Sequence, residues 1–379
     1  MKARVLSFEA PRRVEILEHE VPDPGEGEVR VETELSAISA GTELLLYRGQ
    51  IAPGTALDES LPSLSGEVRY PLAYGYAAVG RITARGERTG KELLGRRVFA
   101  FETHRSSFVA RPESLLLLPE DASLEAAVLL PTVETAVGLV HDARPLLGER
   151  VLVVGQGVVG LALTALLSRF PLAGLSTVDR WERRRRASLA LGAERSSSPE
   201  GFDERDFDLA FEVSGSPGAL DLALAATGVE GRVLVGSWYG DKRADVDLGT
   251  HFHRGRLTIR SSQVSRLSAE LLARWTKTRR LQVALDAALR LPASDLVSHR
   301  FPIERAGEAY RLLDERPEDC LQVLLTYNHA AGPGGPLPPR AEPSAVAQRE
   351  ARSDERRGWG PAALKTSEGS EPSEERGEH

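Results

Sequence analysis

The residues with the clearest chemistry lie mid-chain: Gly155-Gln156-Gly157-Val158-Val159-Gly160. A G-x-G-x-x-G run alone is a weak signal. Here a buried-strand segment, Val151–Val154, precedes it and an apolar helical segment follows. The pattern gives each position a task. Gly155 makes the tight turn, Gly157 lets the main chain approach a pyrophosphate, and Gly160 lets helix pack on strand. The free N–H groups at the start of the helix attract phosphates. Asp179 ends the next strand, 19 residues after Gly160. A carboxylate there accepts from the adenine-ribose hydroxyls and repels a 2′-phosphate, which favours NAD. Arg180 follows at once and softens that repulsion, so NADP stays open. Ser214 and Gly236 close two later strands and leave room for a nicotinamide ring. Trp238 and Tyr239 either wall that pocket or are surface-loop aromatics. The competing reading is a glycine turn in an α/β sheet that binds no dinucleotide.

Other titratable residues carry less. His104 follows the strand Arg97–Phe101 and titrates near neutral pH, so it is a candidate proton shuttle, although a lone loop histidine is usually not catalytic. Glu134 is either a charge favoured by a helix N-terminus or a site acid. His251-x-His253, on a loop or edge near the fifth strand, has no third ligand nearby in sequence and reads as a surface pair. Arg183 to Arg186 fall on a predicted helix, where a solvated face is the expected reading rather than a nucleic-acid surface.

The elements that must position these residues are legible from periodicity. Up to about Leu118 the chain reads as short β segments, including Ala3–Phe8, Glu28–Leu35, Ala77–Ala84 and Arg97–Phe101, parted by turn clusters. This suggests a barrel-like β domain. Ser123–Leu130 and Thr135–Asp142 read as helices. Strands then alternate with helices: Arg150–Val154, Leu161–Ser168, Gly174–Val178, Trp181–Leu191, Leu209–Val213, Arg232–Gly236 and Leu257–Ser261. That alternation predicts a doubly wound parallel sheet. Ala269–Leu291 is mostly helical. Leu296–Phe301 and Leu321–Thr326 are strands around a helix, Glu304–Asp314. A Gly/Pro-rich run from Gly332 opens a stretch poor in apolar residues, read as disordered.

Composition narrows the class. The 379 residues carry 48 Lys+Arg against 55 Asp+Glu, a formal charge of −7, so no nucleic acid or anionic membrane is expected as partner. No run is long and apolar enough to cross a bilayer, and no signal peptide is read. The single cysteine, Cys320, excludes an internal disulfide and any thiolate-rich zinc site. A reducing, cytoplasmic location is expected.

Residues 1 to about 327 resemble the medium-chain dehydrogenase/reductase superfamily, the zinc-type alcohol dehydrogenase family. The resemblance rests on the opening MKA strand, on PDPGEGEV at Pro22–Val29, on the central G-x-G-x-x-G, and on a closing pattern. That pattern runs from Ser298-His299-Arg300-Phe301-Pro302-Ile303 to Tyr310-Arg311-Leu312-Leu313. The segments SAISAGTE and YGYAAVG look closest to the branch containing bacteriochlorophyllide dehydrogenases. The resemblance implies an α/β chain: a GroES-like β-barrel catalytic domain split around a Rossmann domain. The expected division is catalytic over 1–122, Rossmann over 123–262, catalytic again over 263–327, and a disordered tail over 328–379. It also implies that Thr135 contacts the nicotinamide carboxamide. A homodimer is implied too, since family members often join Rossmann sheet edges.

The departures shape the mechanism. Zinc-using members carry a cysteine in a segment like S-G-I-C-G-T-D; here Ser39 takes its place. Their G-H-E-x-x-G supplies a histidine; here Gly75-Tyr76-Ala77-Ala78-Val79-Gly80 has Tyr76 instead. The third ligand, near Leu130-Pro131, is not evident, so no metal is expected. Hydroxyl donors must then stabilise a developing alkoxide. Tyr76 is the candidate donor, Ser39 and Thr42 position or relay, and Glu43 orients them. The expected activity is zinc-independent, NAD(P)-dependent hydride transfer between nicotinamide and an alcohol or carbonyl of a small molecule. Two alternatives stay open: a quinone or enoyl reductase, and a dinucleotide-binding sensor without catalysis.

Overall fold

The computed structural model describes residues 1–58 and 60–328. The expected disordered tail lies outside the described residues, apart from Asn328. Within 1–328 the chain divides its strands among three sheets.

The first half opens with the strands β1 (Lys2–Ala10), β2 (Arg13–Glu20) and β3 (Val29–Ile38), then the helix α1 (Ala40–Arg48). It continues with β4 (Leu72–Ala73), β5 (Ala78–Arg85), β6 (Arg97–Ala100), β7 (Ser107–Ala110) and β8 (Leu116–Leu117). The helices α2 (Leu124–Ala127) and α3 (Leu130–Ala143) lead out of it. α1 was not foreseen. Five consecutive residues, Glu43 to Tyr47, are all buried, so the helix shows no amphipathic stripe.

The second half alternates: β9 (Arg150–Val154), α4 (Val158–Leu167), β10 (Gly174–Val178), α5 (Glu182–Ala190), β11 (Arg195–Ser197), β12 (Phe207–Glu212), α6 (Gly218–Ala226), β13 (Thr227–Val235), α7 (His251–Gly255) and β14 (Thr258–Ser261). The six strands form one parallel sheet in the order β11-β10-β9-β12-β13-β14. Its chain order reverses between β9 and β12, the place where doubly wound sheets leave a crevice. β9 is buried along Val151–Val154 and α4 is apolar almost throughout, as strands and helices covered on both faces must be.

The chain then returns through α8 (Lys277–Ala288), α9 (Ala293–Leu296), β15 (Val297–Pro302), α10 (Ala306–Glu315) and β16 (Gln322–Thr326). β16 pairs antiparallel with β3, which completes a seven-stranded sheet with β5, β6, β8 and β15 on one path and β7 beside β3. α10 buries Ala306, Ala309, Tyr310 and Leu313, an i, i+3, i+4, i+7 stripe. Its Tyr310 ring meets Phe8 edge-on at 5.2 Å and stacks on Tyr47 at 5.6 Å. The fold is thus the expected α/β arrangement, a GroES-like barrel and a Rossmann sheet.

Two sequence expectations change here. The arginine run on α5 is only partly a solvated face: Arg183 and Arg186 are exposed, whereas Arg184 and Arg185 are half-buried; Arg183 donates to Asp319 O, and Arg184 to Pro317 O and Cys320 O. Arg185 donates to Asp179 O and Arg180 O, and Arg186 pairs with Glu182 one turn away. Main-chain carbonyls at the turn after α10 supply acceptors that composition cannot reveal. His251 and His253 lie on the one-turn helix α7, not on a strand, and His251 Nε2 is bonded to Thr227 O at 2.6 Å. Among the described residues no helix is long and apolar enough to cross a membrane.

Candidate active site

Ser39 is the N-cap residue of α1. A serine there usually turns its hydroxyl onto the first free N–H groups of the helix. Ser39 makes no such bond. Its Oγ accepts the phenolic hydrogen of Tyr76 at 2.5 Å, and Thr42 Oγ1 lies 3.5 Å from the same phenol. The reciprocal half of the cap survives, because Glu43 Oε1 accepts from the Ser39 N–H at 2.8 Å. Tyr76 is half-buried and edge-on to Tyr74, with ring centroids 6.0 Å apart. Burial pushes its pKa up to about 12, against the opposing pull of the Ser39 and Thr42 hydroxyls. It is a neutral phenol, able to donate, across the physiological range.

Behind this trio lies a second polar layer with no solvent access. Glu43, His104, Ser36 and Tyr310 are fully buried and Tyr327 nearly so. Glu43 Oε2 holds the Tyr310 hydroxyl and His104 Nε2, the latter at 3.0 Å. His104 Nδ1 lies 2.7 Å from Ser36 Oγ, which lies 2.7 Å from the Tyr327 hydroxyl. Burial raises the pKa of both Tyr310 and Tyr327, so each stays a neutral phenol. Both ring nitrogens of His104 are occupied, and it sits against Gly75, where φ is +120° and a Cβ would stand 2.8 Å from the ring. The histidine is therefore packed behind the trio rather than exposed on a loop. Tyr310, Tyr327 and Ser36 had no role in the sequence reading. Their bonds span 267 and 291 positions of chain, and no local pattern marks such partners.

The glycine loop has the geometry its spacing implied. Gly155 has φ +100°, and a Cβ there would lie 2.5 Å from Ser214 Cα. A Cβ on Gly160 would stand 1.9 Å from Gly155 O, so helix and loop are in direct contact. A Cβ on Gly157 would meet nothing within 4 Å; the space over the α4 N-terminus is open. The Gln156 side chain points inward, accepting from Thr164 at 3.0 Å and donating to Gly155 O at 3.1 Å, so only its main chain faces the loop. Val158 and Val159 pack against the core from the first turn of α4.

Asp179 is buried at the end of β10. Its Oδ2 accepts from Gln156 N at 2.7 Å and its Oδ1 from Trp181 N at 2.8 Å. Each carboxylate oxygen keeps a lone pair for a further donor. Arg184 Nη1 is 4.0 Å away, while the exposed Arg180 lies over the Trp181 ring at 5.9 Å.

Glu212, unremarked in the sequence, organises the next strand end. It is fully buried on β12 opposite Val154, at the point where strand order reverses. Its Oε1 accepts from Ser214 N at 2.8 Å and Ser214 Oγ at 2.5 Å, and its Oε2 accepts from the Tyr239 hydroxyl at 2.5 Å. Tyr239 is thus anchored to the strand end, and burial raises its pKa. Ser237 Oγ accepts from Gly215 N at 2.8 Å, which ties the loop after Gly236 to the loop after Ser214. Farther along, Asp241 N donates to Gln50 O at 3.0 Å, so this loop touches the chain just beyond α1. The one available signal for Glu212 was a carboxylate closing an otherwise apolar strand, FDLAFE.

Thr135 Oγ1 donates to Pro131 O within α3 at 2.9 Å. Its neighbour Glu134 is not a free site acid: Arg280 of α8 holds it at 2.9 and 3.1 Å. Burial raises the Glu134 pKa, opposed by that guanidinium.

No family model matches the chain. It is 27% identical over 347 residues to the 2-desacetyl-2-hydroxyethyl bacteriochlorophyllide A dehydrogenase of Rhodobacter capsulatus, covering 87% of this chain and all of the relative. An Escherichia coli alcohol dehydrogenase solved in complex with NADH superposes with a TM-score of 0.67, at 20% identity, over 86% of this chain and 99% of that one. The 2R,3R-butanediol dehydrogenase of Bacillus subtilis superposes with a TM-score of 0.69, at 19% identity, over 86% and 100%. The chain is thus similar over nearly all of its described length to dehydrogenases acting on hydroxyl groups, and it shares their fold. The resemblance drawn from the sequence implies that the positions of a catalytic zinc would fall on Ser39, on Tyr76 and near Leu130-Pro131. These residues do not fit the metal. Two are neutral hydroxyls bonded to each other, and Leu130 and Pro131 have no donor side chain. Among the described residues no three His, Cys, Asp or Glu stand together as a metal site.

Proposed function

We propose that this chain is a zinc-independent, NAD-dependent oxidoreductase interconverting an alcohol and a carbonyl on a small molecule. The observation that carries the proposal is the Tyr76–Ser39–Thr42 hydroxyl trio at the superfamily's metal position. The open space over Gly157 and the turn at Gly155 fit a dinucleotide, held at the loop by Gly155 to Gly160 and at its adenine ribose by Asp179. The lone pairs of Asp179 favour ribose hydroxyls, hence NAD over NADP; Arg180 is free to swing toward a 2′-phosphate. Ser214, Gly236 and Thr135 frame the nicotinamide end. When bound there, the nicotinamide supplies or takes the hydride.

The chain's own residues then handle the oxygen. Tyr76, with a pKa near 12, remains a far stronger acid than an aliphatic alcohol. Its hydrogen, passed through Ser39 Oγ or offered directly, stabilises negative charge on the substrate oxygen. The N-terminus of α1 adds the positive end of its dipole. Glu43 and His104 touch neither substrate nor cofactor; they are positioning residues that fix the Ser39 main chain and the start of α1.

An assay of nicotinamide absorbance with secondary alcohols, ketones, quinones and enones tests the reading. Turnover of the alcohol and ketone class supports it. Turnover confined to quinones or enones would point to the reductase alternative, and dinucleotide binding without turnover to the sensor. We place the chain in the cytoplasm on its one free, buried cysteine. The outer edge of β14, exposed along Thr258–Ser261, is the surface on which a homodimer would form.

A further inference from the structure

The loops after β12 and β13 meet at the crevice where strand order reverses. Gly155 opens the glycine loop, and a Cβ there would lie 2.5 Å from both N and Cα of Ser214, so the glycine loop and the loop after β12 are in direct contact. Gly215, next in the chain, gives its N–H to Ser237 Oγ at 2.8 Å, and its carbonyl accepts from Lys242 Nζ at 2.5 Å. The ammonium group thus bonds to the residue beside the one that touches Gly155. Its loop is pinned on the other side by the chain beyond α1. Asp241 N donates to Gln50 O at 3.0 Å, and a Cβ on Gly240, where φ is +66°, would lie 2.3 Å from the same oxygen. Lys242 therefore stands at the end of β12, and β12 lies across β9 from β10 and Asp179.

The cation lacks a counter-ion. Lys242 is half-buried, makes no ion pair among the described residues, and spends its one hydrogen bond on a neutral carbonyl. The two carboxylates whose charge reaches it are Glu212 and Asp241. Glu212 is engaged by Ser214 N, Ser214 Oγ and the Tyr239 hydroxyl. Asp241 is exposed and forms no ion pair with it. Arg48, itself bonded to Asp314, adds repulsion. Burial and then Arg48 hold Lys242 below the ordinary lysine range, against the pull of Asp241 and Glu212. An ammonium has three donors, so two stay free once Gly215 O is satisfied. A half-buried lysine with donors to spare, held beside a glycine loop, fits an anion.

A dinucleotide crossing this crevice places its adenosine at Asp179 on β10 and its pyrophosphate at the start of α4. The phosphate nearer β12 is then the one that belongs to the nicotinamide half. We infer that Lys242 binds that phosphate, with Gly215 O holding the ammonium in place. The inference rests on the dinucleotide part of the proposed function. It adds a cofactor-binding residue that lies 27 positions from its anchor, outside the glycine run and its acidic partner.

Calorimetric titration of the full chain with AMP, ADP-ribose and NADH tests this. AMP carries the adenosine-side phosphate alone, whereas the other two carry both phosphates. Lys242→Gln keeps a donor for Gly215 O and removes the charge. It is expected to weaken ADP-ribose and NADH by about tenfold, the scale of one charge-assisted contact, and AMP by less than about twofold. Lys242→Arg should recover most of the loss. Undiminished binding of ADP-ribose and NADH in Lys242→Gln would overturn the inference. So would an equal loss for AMP, because Lys242 would then be a structural clamp of its loop. Either of those results leaves the dinucleotide reading standing. If the unaltered protein binds none of the three ligands, that reading fails and the inference with it.

Discussion

The phenol of Tyr76 donates to Ser39 Oγ at 2.5 Å, and this bond replaces the helix cap that Ser39 would otherwise form. A side chain that caps a helix is committed to structure. Ser39 is released from that duty because Glu43 secures the cap from the other side. The hydroxyl pair is therefore available for chemistry, while Glu43 still holds the main chain at the start of α1.

Removing only the phenolic oxygen should separate chemistry from folding. Tyr76→Phe is expected to lower kcat/KM by about a hundredfold or more, the scale of a lost general acid. The melting temperature should move little, since Ser39 can turn its hydroxyl back to the helix. Steady-state kinetics beside a thermal melt checks both. Retained activity would remove Tyr76 from the mechanism.

On the proposed reading, Asp179 sets the dinucleotide choice through charge. Asp179→Asn keeps an oxygen for one main-chain N–H and removes the repulsion of a 2′-phosphate. The NADPH-to-NADH affinity ratio is expected to rise by roughly tenfold, equivalent to about 1.4 kcal/mol. Fluorescence titration of both cofactors measures it, and an unchanged ratio would take specificity away from this carboxylate.

Glu134 and Arg280 form a buried pair joining α3 to α8. Breaking it on one side leaves a buried charge unmatched. Glu134→Gln is expected to cost about 3 kcal/mol in urea unfolding, and the double change Glu134→Leu with Arg280→Met should recover most of that loss. A double variant as unstable as the single one would show that the pair itself, not the stranded charge, sets the cost.

Alkaline pH should unfold the chain cooperatively. All seven tyrosines have raised pKa values, with burial the largest cause in each. A raised folded pKa means that the unfolded chain releases these protons first. Their stabilising contribution is full below pH about 10 and is lost as pH rises toward the folded values. Each fully buried phenol, Tyr310 foremost, contributes a slope of about 1.4 kcal/mol per pH unit above that point. Phenolate absorbance should therefore stay low until the circular dichroism collapses; a gradual phenolate titration in the folded protein would contradict this.

The Rossmann half was legible because its signals are local. The need for glycine at 155, 157 and 160 arises from backbone conformation and contacts within one turn, and β9 and α4 flank it directly. Tyr76 and Ser39 were legible only by comparison with a family spacing, since a tyrosine in a β segment has no periodic mark of its own. The layer behind them was not legible. Tyr310 reads as one more apolar position on the stripe of α10, and its hydroxyl finds Glu43 only through the return of the chain to the first sheet. Glu212 was hidden for a similar reason: the residues that satisfy its carboxylate lie on the loops after β12 and β13. The packing of Arg184 was not legible because its acceptors, and those of Arg183, are carbonyls more than 130 positions away.

The central claim is hydride exchange between nicotinamide and substrate, with hydroxyl groups of this chain stabilising the substrate oxygen at the position where the sequence resemblance implies zinc. The most direct measurement is kcat/KM on protein stripped with a chelator and assayed for metal, before and after zinc is added back. The account predicts full turnover with far less than one metal per chain, no gain on adding zinc, and loss of that turnover in Tyr76→Phe. Activity that disappears with the metal and returns with stoichiometric zinc would contradict it.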